Sequence, residues 1–255
     1  MNATTATAAA STHLRIRPTE HGWEQFPDPH GRPTTPVRIL KLDDPYVLEA
    51  DFPPHFHAGL HWHPHDTIYV ITAGEMRFGD EGVFRPGDIR WVRGGHAYGP
   101  ETAGPAGVRF HLVSLGGPVG LNWADLYEVP ATIATRLAGF EQVAGRVTIA
   151  DDFTRWPRTA PVPGVRAEVL CEDHPPLLRL VLDAGASLPA HAFGADALAY
   201  VRGGSLAIEG EAPLEAGDLR WSRADATAGR ATAGAGGADL VFIGLSGALD
   251  WRTAE

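Results

Sequence analysis

The sequence predicts an all-β protein of two tandem barrels, or double-sheet jelly rolls, joined by a short helical connection. Three observations lead there. The segment Phe84-Arg-Pro-Gly-Asp-Ile-Arg-Trp-Val-Arg93 returns as Leu214-Glu-Ala-Gly-Asp-Leu-Arg-Trp-Ser-Arg223, an offset of 130 that also pairs His61 with His191, Asp66 with Asp196 and Gly74 with Gly204. No gap interrupts it up to Gly117 on Gly247, so the chain is a duplicated domain. Each unit breaks into short runs of β-branched and aromatic residues punctuated by turns. The 30 Gly and 21 Pro among 255 residues favour many short strands over a helical bundle, and a 44% hydrophobic content supplies a sizeable core.

The elements follow in order. Residues 1–30 read as tail and lead-in: Met1 to about Ser11 is Ala/Thr-rich, without the positive start and apolar stretch of a signal peptide, and is expected to be disordered. Residues 31–120 form the first barrel. Within it, Thr67-Ile-Tyr-Val-Ile-Thr72 is a strand running into a turn at Ala73-Gly74, and Glu75 to Phe78 is the return strand. Arg85-Pro-Gly-Asp88 is a turn by composition, Ile89 to Val92 a further strand, and Val108 to Leu115 closes the unit. Residues 121–156 are a linker in which Ile133, Leu137 and Phe140 recur near helical spacing, predicting a short helix over Pro130 to Val143. Residues 157–250 form the second barrel.

Charge and composition exclude several classes. The net charge is −10 and no Lys/Arg-rich run occurs, which argues against a nucleic-acid partner. Lys41 is the only lysine, a bias typical of a GC-rich genome. No apolar run reaches the 18 residues of a membrane span, so no membrane partner is expected. Cys171 is the only cysteine and no internal disulfide can form; the expected location is cytoplasmic.

Five of the twelve histidines crowd into His55-Phe-His57-Ala-Gly-Leu-His61-Trp-His63-Pro-His65. Alternation along a strand puts His61 and His63 on one face, where two imidazoles can grip a divalent metal. His55 and His57 follow Pro53-Pro54 in a turn and read as surface residues. His65 follows Pro64 and reads as a rim residue, with coordination as its alternative. His111, in the closing strand, reads as a barrel histidine.

His61-Trp-His63 followed by Thr67 and Gly74, then the Pro-Gly-Asp turn followed by Arg93-Gly-Gly95 and His96-Ala-Tyr98, resembles the two motifs of the cupin superfamily. The resemblance covers both halves and is that of a bicupin. It implies a metal-dependent enzyme with His61, His63 and His96 as ligands, similar to the three-histidine cupins that use Fe(II) to activate dioxygen. The substrate would be a small organic molecule, an enol, ketone or aromatic. Imidazoles also suit Mn, Ni, Zn and Cu. Two positions depart from the pattern. Thr67 stands where many cupins place a metal-binding Glu, and Tyr98 falls by residue count where the second-motif His is expected. Both are catalytic candidates, Tyr98 as a ligand or as a hydrogen-bond donor to bound oxygen. The resemblance also allows an isomerase, cyclase or lyase using the metal as a Lewis acid, or a non-catalytic small-molecule binder. Relatives of this kind are often dimers, which makes a homodimer one expected assembly.

The repeat serves as an internal control. Gly87, Asp88, Arg90, Trp91 and Arg93 recur as Gly217, Asp218, Arg220, Trp221 and Arg223, and read as architecture, although an inward Arg can also meet an anionic substrate. Asp66 recurs as Asp196 and reads likewise. In the second half Phe193 replaces His63, Ala195 replaces His65, Ala226 replaces His96 and Ala228 replaces Tyr98. Only His191 survives, so the C-terminal barrel is expected to be metal-free and to serve packing, dimerisation or pocket closure. Trp62, Tyr69, Tyr98 and Phe110 would line an aromatic pocket or fill the barrel.

Overall fold

A computed structural model describes residues 12–26, 35–123, 144–148, 162–171, 175–247 and 249–253. Among them the protein is all-β; the one helical element is a single 3-10 turn at Pro18–Glu20. The chain divides into two compact units, one spanning Arg17–Thr154 and the other Met1–Ile16 with Arg155–Glu255.

The N-terminal unit is an antiparallel sheet with the order Ala144–Thr148, Asp88–Val92, Asp66–Phe78, Glu101–Leu115, Tyr46–Phe52, Pro36–Lys41 and Glu24–Gln25. His57–Ala58 and Gly82–Phe84 pair off this path, and His61–Trp62 pairs separately with Asn122–Trp123. The C-terminal unit repeats the plan with His13–Ile16, Leu219–Ser222, Ala197–Ile208, Ala231–Gly244, Leu177–Leu182 and Val165–Cys171. Register follows the 130-residue offset: Leu112 lies opposite Tyr69 as Phe242 lies opposite Ala199, and Tyr69 opposite Arg90 as Ala199 opposite Arg220.

The edge strands are exchanged between the repeats. His13–Ile16 borders the C-terminal sheet, with Arg15 opposite Arg220, whereas Ala144–Thr148 borders the N-terminal sheet, with Arg146 opposite Arg90. Residues 13–16 therefore do not lead into the first barrel, as their position in sequence suggested, but complete the second. Proximity in sequence is no guide here, because the unpaired edge of either sheet offers the same ladder of donors and acceptors. The expected disordered tail before Ser11 and the expected helix over Pro130 to Val143 lie outside the described residues.

Alternation along the strands builds the N-terminal core. Leu48, Ala50, Phe52, Tyr69, Ile71, Phe110 and Leu112 point into one buried cluster with Met76, Phe78 and Phe84. Tyr69, Phe78, Phe84 and Phe110 are each no more than 2% exposed, and each stabilises the unit by roughly 1.5–3 kcal/mol through burial alone. Phe78 meets Tyr69 and Phe84 edge-on at 5.2 and 5.0 Å, the geometry that aromatic quadrupoles prefer.

The elements shared by both halves hold turns and crossings. The Asp88 carboxylate accepts from the Arg85 N–H at 2.8 Å, and Asp218 from Glu215 at 3.0 Å. Asp66 accepts from the Gly94 N–H at 2.8 Å, as Asp196 does from Ala224 at 2.7 Å. Gly74 and Gly204 both adopt left-handed backbone, φ 69° and 71°. A Cβ on either would collide with the carbonyl of Gly107 or Gly237 on the neighbouring strand. Gly74→Ala is therefore expected to destabilise the N-terminal unit by at least about 1–2 kcal/mol, the left-handed penalty alone. Urea titration reads this directly, and an unchanged midpoint would contradict it.

Candidate metal centre

Local backbone pairing sets the site. His61 and Tyr98 form a two-residue antiparallel bridge, each N–H donating to the other's carbonyl at 3.0 and 2.9 Å. The bridge recurs in the second half as His191 with Ala228. It fixes the register of the second motif and puts Tyr98 directly across from His61. The Tyr98 ring lies 4.7 Å from the His61 ring and 6.0 Å from that of His63.

His96 is placed elsewhere. Arg93 to His96 closes a turn, with the His96 N–H donating to the Arg93 carbonyl at 3.1 Å, and His96 is not among the residues lining the cavity described below. His96 is half-buried, and burial followed by the nearby Arg90 charge lowers its pKa, with Glu81 acting in the opposite sense. His65 packs on the Gly116-Gly117 turn, and His55 and His57 are exposed. Thr67 is fully buried. Trp62 is only partly buried, whereas Tyr69 and Phe110 do line the cavity described below.

His61 and His63 are buried, and each ring is pinned at one end. His61 Nδ1 donates to the Gly59 carbonyl at 2.8 Å, and His63 Nδ1 donates to the Gly120 carbonyl at 2.8 Å. A carbonyl can only accept, so Nδ1 carries the proton and each neutral ring presents a bare lone pair at Nε2. Burial lowers both pKa values to about 4, against the pull of those carbonyls. Both rings are therefore neutral near pH 7.

A carboxylate that the sequence reading passed over completes the group. Glu101 is 2% exposed, and its Oε1 lies 3.7 Å from His61 Nε2. Burial raises its pKa, opposed by the Arg90 guanidinium and the Tyr69 hydroxyl. The Tyr69 O–H donates to Glu101 Oε1 at 2.9 Å, and the Tyr98 hydroxyl lies 2.5 Å from that of Tyr69. The signal for Glu101 was present in the repeat, since the second half has Ala231 at this position.

A cavity of about 70 Å³ opens over these groups. Phe26, Phe52, Phe56, Phe110, Leu112 and Trp123 give it apolar walls, while His61, His63, Tyr69 and Glu101 supply most of its polar atoms. Among the described residues lining it there is no Lys or Arg.

The donor set fits a divalent cation. His63 Nε2 is buried with no hydrogen-bond partner, and His61 Nε2 faces a carboxylate oxygen at a distance too long for a hydrogen bond. Two imidazole nitrogens and a carboxylate thus line one apolar cavity, donor types that a divalent cation accepts. Among the described residues no group of three or more His, Cys, Asp or Glu side chains is placed so as to hold a metal ion. Two imidazoles and a carboxylate supply the donors without being closed on an ion.

In the C-terminal unit His191 stacks face to face on Trp251 at 4.0 Å, with Phe193 in the place of His63. Burial lowers its pKa to about 4, as it does that of His111 on the strand Glu101–Leu115. Both groups sit below their unfolded value near 6.5, so the unfolded chain takes up protons that the native state refuses. Stability is expected to fall as pH drops from about 6.5 to 4, each imidazole adding a slope approaching 1.4 kcal/mol per pH unit. His191→Gln should remove about one proton from that slope in urea titrations across pH; an unchanged slope would contradict the assignment.

No family model matches the chain. A Pseudomonas aeruginosa protein provisionally named quercetin 2,3-dioxygenase is 26% identical over 213 residues, covering 71% of this chain and 67% of the relative. A crystal structure of a provisionally named dioxygenase from Nostoc punctiforme superposes with a TM-score of 0.74 at 14% identity, over 97% of this chain and 88% of that one. Bacillus subtilis oxalate decarboxylase, described with Mn(II) centres, gives 0.64 at 12% identity over 96% and 80%. Lactobacillus farciminis oxalate decarboxylase in complex with formate gives 0.62 at 13% identity over 99% and 90%. The chain has the bicupin fold, two cupin barrels in tandem.

Proposed function

We propose that the protein is a metal-dependent cupin oxygenase whose single metal is held by His61, His63 and Glu101. The observation that carries this reading is the unpartnered, buried Nε2 of His63 together with His61 Nε2 facing a buried carboxylate, all lining an aromatic cavity. Two histidines and one carboxylate form the donor set that non-haem Fe(II) oxygenases use with open positions for substrate and dioxygen. Bound there, the metal would supply Lewis-acid and one-electron chemistry. Mn, Ni, Zn and Cu also accept such donors, and Mn(II) is named for the Bacillus subtilis structural relative.

The protein's own groups do the rest. Gly59 and Gly120 hold both imidazoles in the tautomer that keeps Nε2 free. Glu101 supplies the negative charge that Thr67 cannot, so a substrate anion is not needed to balance the metal. Phe52, Phe56, Phe110 and Trp123 exclude water and select an apolar, planar body bearing an oxygen at its polar end, an enol, ketone or phenol. His96 takes no part as a ligand. Tyr98 reaches Glu101 through the Tyr69 hydroxyl and is given no ligand role in this reading.

The likeness to oxalate decarboxylases supports a second reading, in which the metal acts only as a Lewis acid and no dioxygen is consumed. The lining counts against a small dianion as substrate, because no described Lys or Arg is there to neutralise it. Protein loaded with Fe(II) should be offered small flavonols, enols and catechols in air and under strict anaerobiosis, with oxygen uptake followed by electrode. Turnover with stoichiometric oxygen uptake, lost without dioxygen, is the expected result. Anaerobic turnover at an equal rate would replace the oxygenase reading with the Lewis-acid one.

A further inference from the structure

Glu101 is a buried carboxylate held by one donor. Among the described residues the Tyr69 hydroxyl alone hydrogen-bonds it, at 2.9 Å. Because the Tyr69 proton is committed to Glu101, the Tyr69 oxygen accepts from the Tyr98 O–H at 2.5 Å. Tyr98 is in turn fixed by its backbone bridge to His61. A continuous line of contacts therefore runs from the backbone of one candidate ligand, through two buried hydroxyls, to the side chain of another. Thr67, fully buried on the strand that carries Tyr69, lies beside Tyr98 at the far end.

The repeat shows that these residues come and go together. At an offset of 130, Thr67, Tyr69, Tyr98 and Glu101 correspond to Ala197, Ala199, Ala228 and Ala231. All four are alanine in the half where Phe193 has replaced His63. By contrast, the ion pair of a buried Arg with a more exposed Glu survives in both halves, Arg90 with Glu81 and Arg220 with Glu211. The hydroxyls are thus absent together with the second imidazole, in a half that keeps the turns and the Arg–Glu pair.

We propose that Tyr69 is a positioning residue for Glu101, and that Tyr98 fixes Tyr69 for that task. The inference rests on the metal reading above. The Tyr69 hydroxyl holds Oε1 facing His61 Nε2, so that the carboxylate is already set when a cation arrives. Without that hydroxyl a buried, singly held carboxylate rotates freely about its last bonds and must be ordered on binding. Outer partners of metal ligands typically set affinity by ten- to hundredfold.

The test is a double-mutant cycle read by Co(II) titration, using calorimetry for affinity and the visible ligand-field spectrum for coordination. Tyr69→Phe removes one oxygen and keeps the ring against Phe78 and Phe110. Far-UV circular dichroism and thermal melting establish that each variant is folded. The wild type is expected to bind one Co(II) per chain, and Tyr69→Phe to bind it ten- to hundredfold more weakly with an altered visible spectrum. In a Glu101→Gln background the same substitution should change affinity by no more than about twofold, since Tyr69 acts through the carboxylate. Tyr98→Phe, which leaves the Tyr69–Glu101 bond in place, should lose less than Tyr69→Phe. Equal affinity and spectrum in wild type and Tyr69→Phe, or fully additive losses with Glu101→Gln, would overturn the role of Tyr69. A larger loss in Tyr98→Phe than in Tyr69→Phe would also overturn it, making Tyr98 the direct ligand. Absence of Co(II) binding by the wild type would instead bring down the metal reading itself.

Discussion

Replacing His63 with phenylalanine, the residue its counterpart carries at position 193, is expected to abolish tight metal binding while leaving the metal-free protein at least as stable as the wild type. The two effects have separate causes. Structural zinc sites with four protein ligands bind with apparent free energies of about 10–16 kcal/mol, so one ligand accounts for about 2.5–4 kcal/mol, on the order of a hundred- to a thousandfold in affinity. In the metal-free state His63 Nε2 is a buried acceptor with no partner, a condition that costs about 1–3 kcal/mol. Phenylalanine removes that acceptor and keeps a ring of similar shape beside His61 and Tyr98. It forfeits the hydrogen bond to the Gly120 carbonyl, worth about 1 kcal/mol, but that carbonyl belongs to an exposed residue and can turn to water. The opposed changes are what a residue kept for function and not for stability should show. Calorimetric titration with Co(II) and urea unfolding in chelator measure them; a large loss of metal-free stability would make His63 a structural residue.

The second large effect lies under the site. Arg90 is fully buried, stacked against Phe78 at 4.2 Å and Tyr98 at 4.3 Å, and its charge is met by Glu81 through two hydrogen bonds. Glu81 itself is exposed, so Glu81→Ala leaves the Arg90 guanidinium short of its charged partner at a cost of about 1.5–3 kcal/mol, the worth of hydrogen bonds to a charged group. The C-terminal counterpart is a built-in comparison. Arg220 pairs with Glu211 in the same way, but its Nη1 also donates to Ser222, whereas Arg90 Nη1 has no partner. Glu211→Ala should therefore destabilise its own unit less than Glu81→Ala destabilises the other. Equal costs, measured by chemical denaturation with hydrogen exchange to separate the units, would contradict the role given to Ser222.

Much of the fold was legible because period-two alternation, Gly/Pro turns and the 130-residue repeat all encode local geometry. The repeat carries through to cross-strand register, with Tyr69 opposite Arg90 and Ala199 opposite Arg220. The exchange of edge strands was not legible, since His13–Ile16 has the same alternating character whichever sheet it joins. At the site, His61 and His63 could be read because two residues on one short strand share a face. For His96 parity was a weak guide, because parity assumes a strand and Arg93 to His96 is a turn. Glu101 was missed because it lies on a different strand, forty residues on, and only pairing brings it beside His61. Comparing the two halves position by position, Glu101 against Ala231, would have found it.

The central claim is that one barrel holds one metal, between His61, His63 and Glu101. Diffraction from crystals of the metal-loaded protein, collected on either side of the metal absorption edge, tests it most directly. The account predicts a single anomalous peak per chain, bounded by Nε2 of His61, Nε2 of His63 and the Glu101 carboxylate. A peak on His96, a peak beside His191 in the C-terminal barrel, or no peak in a protein that turns over substrate would contradict it.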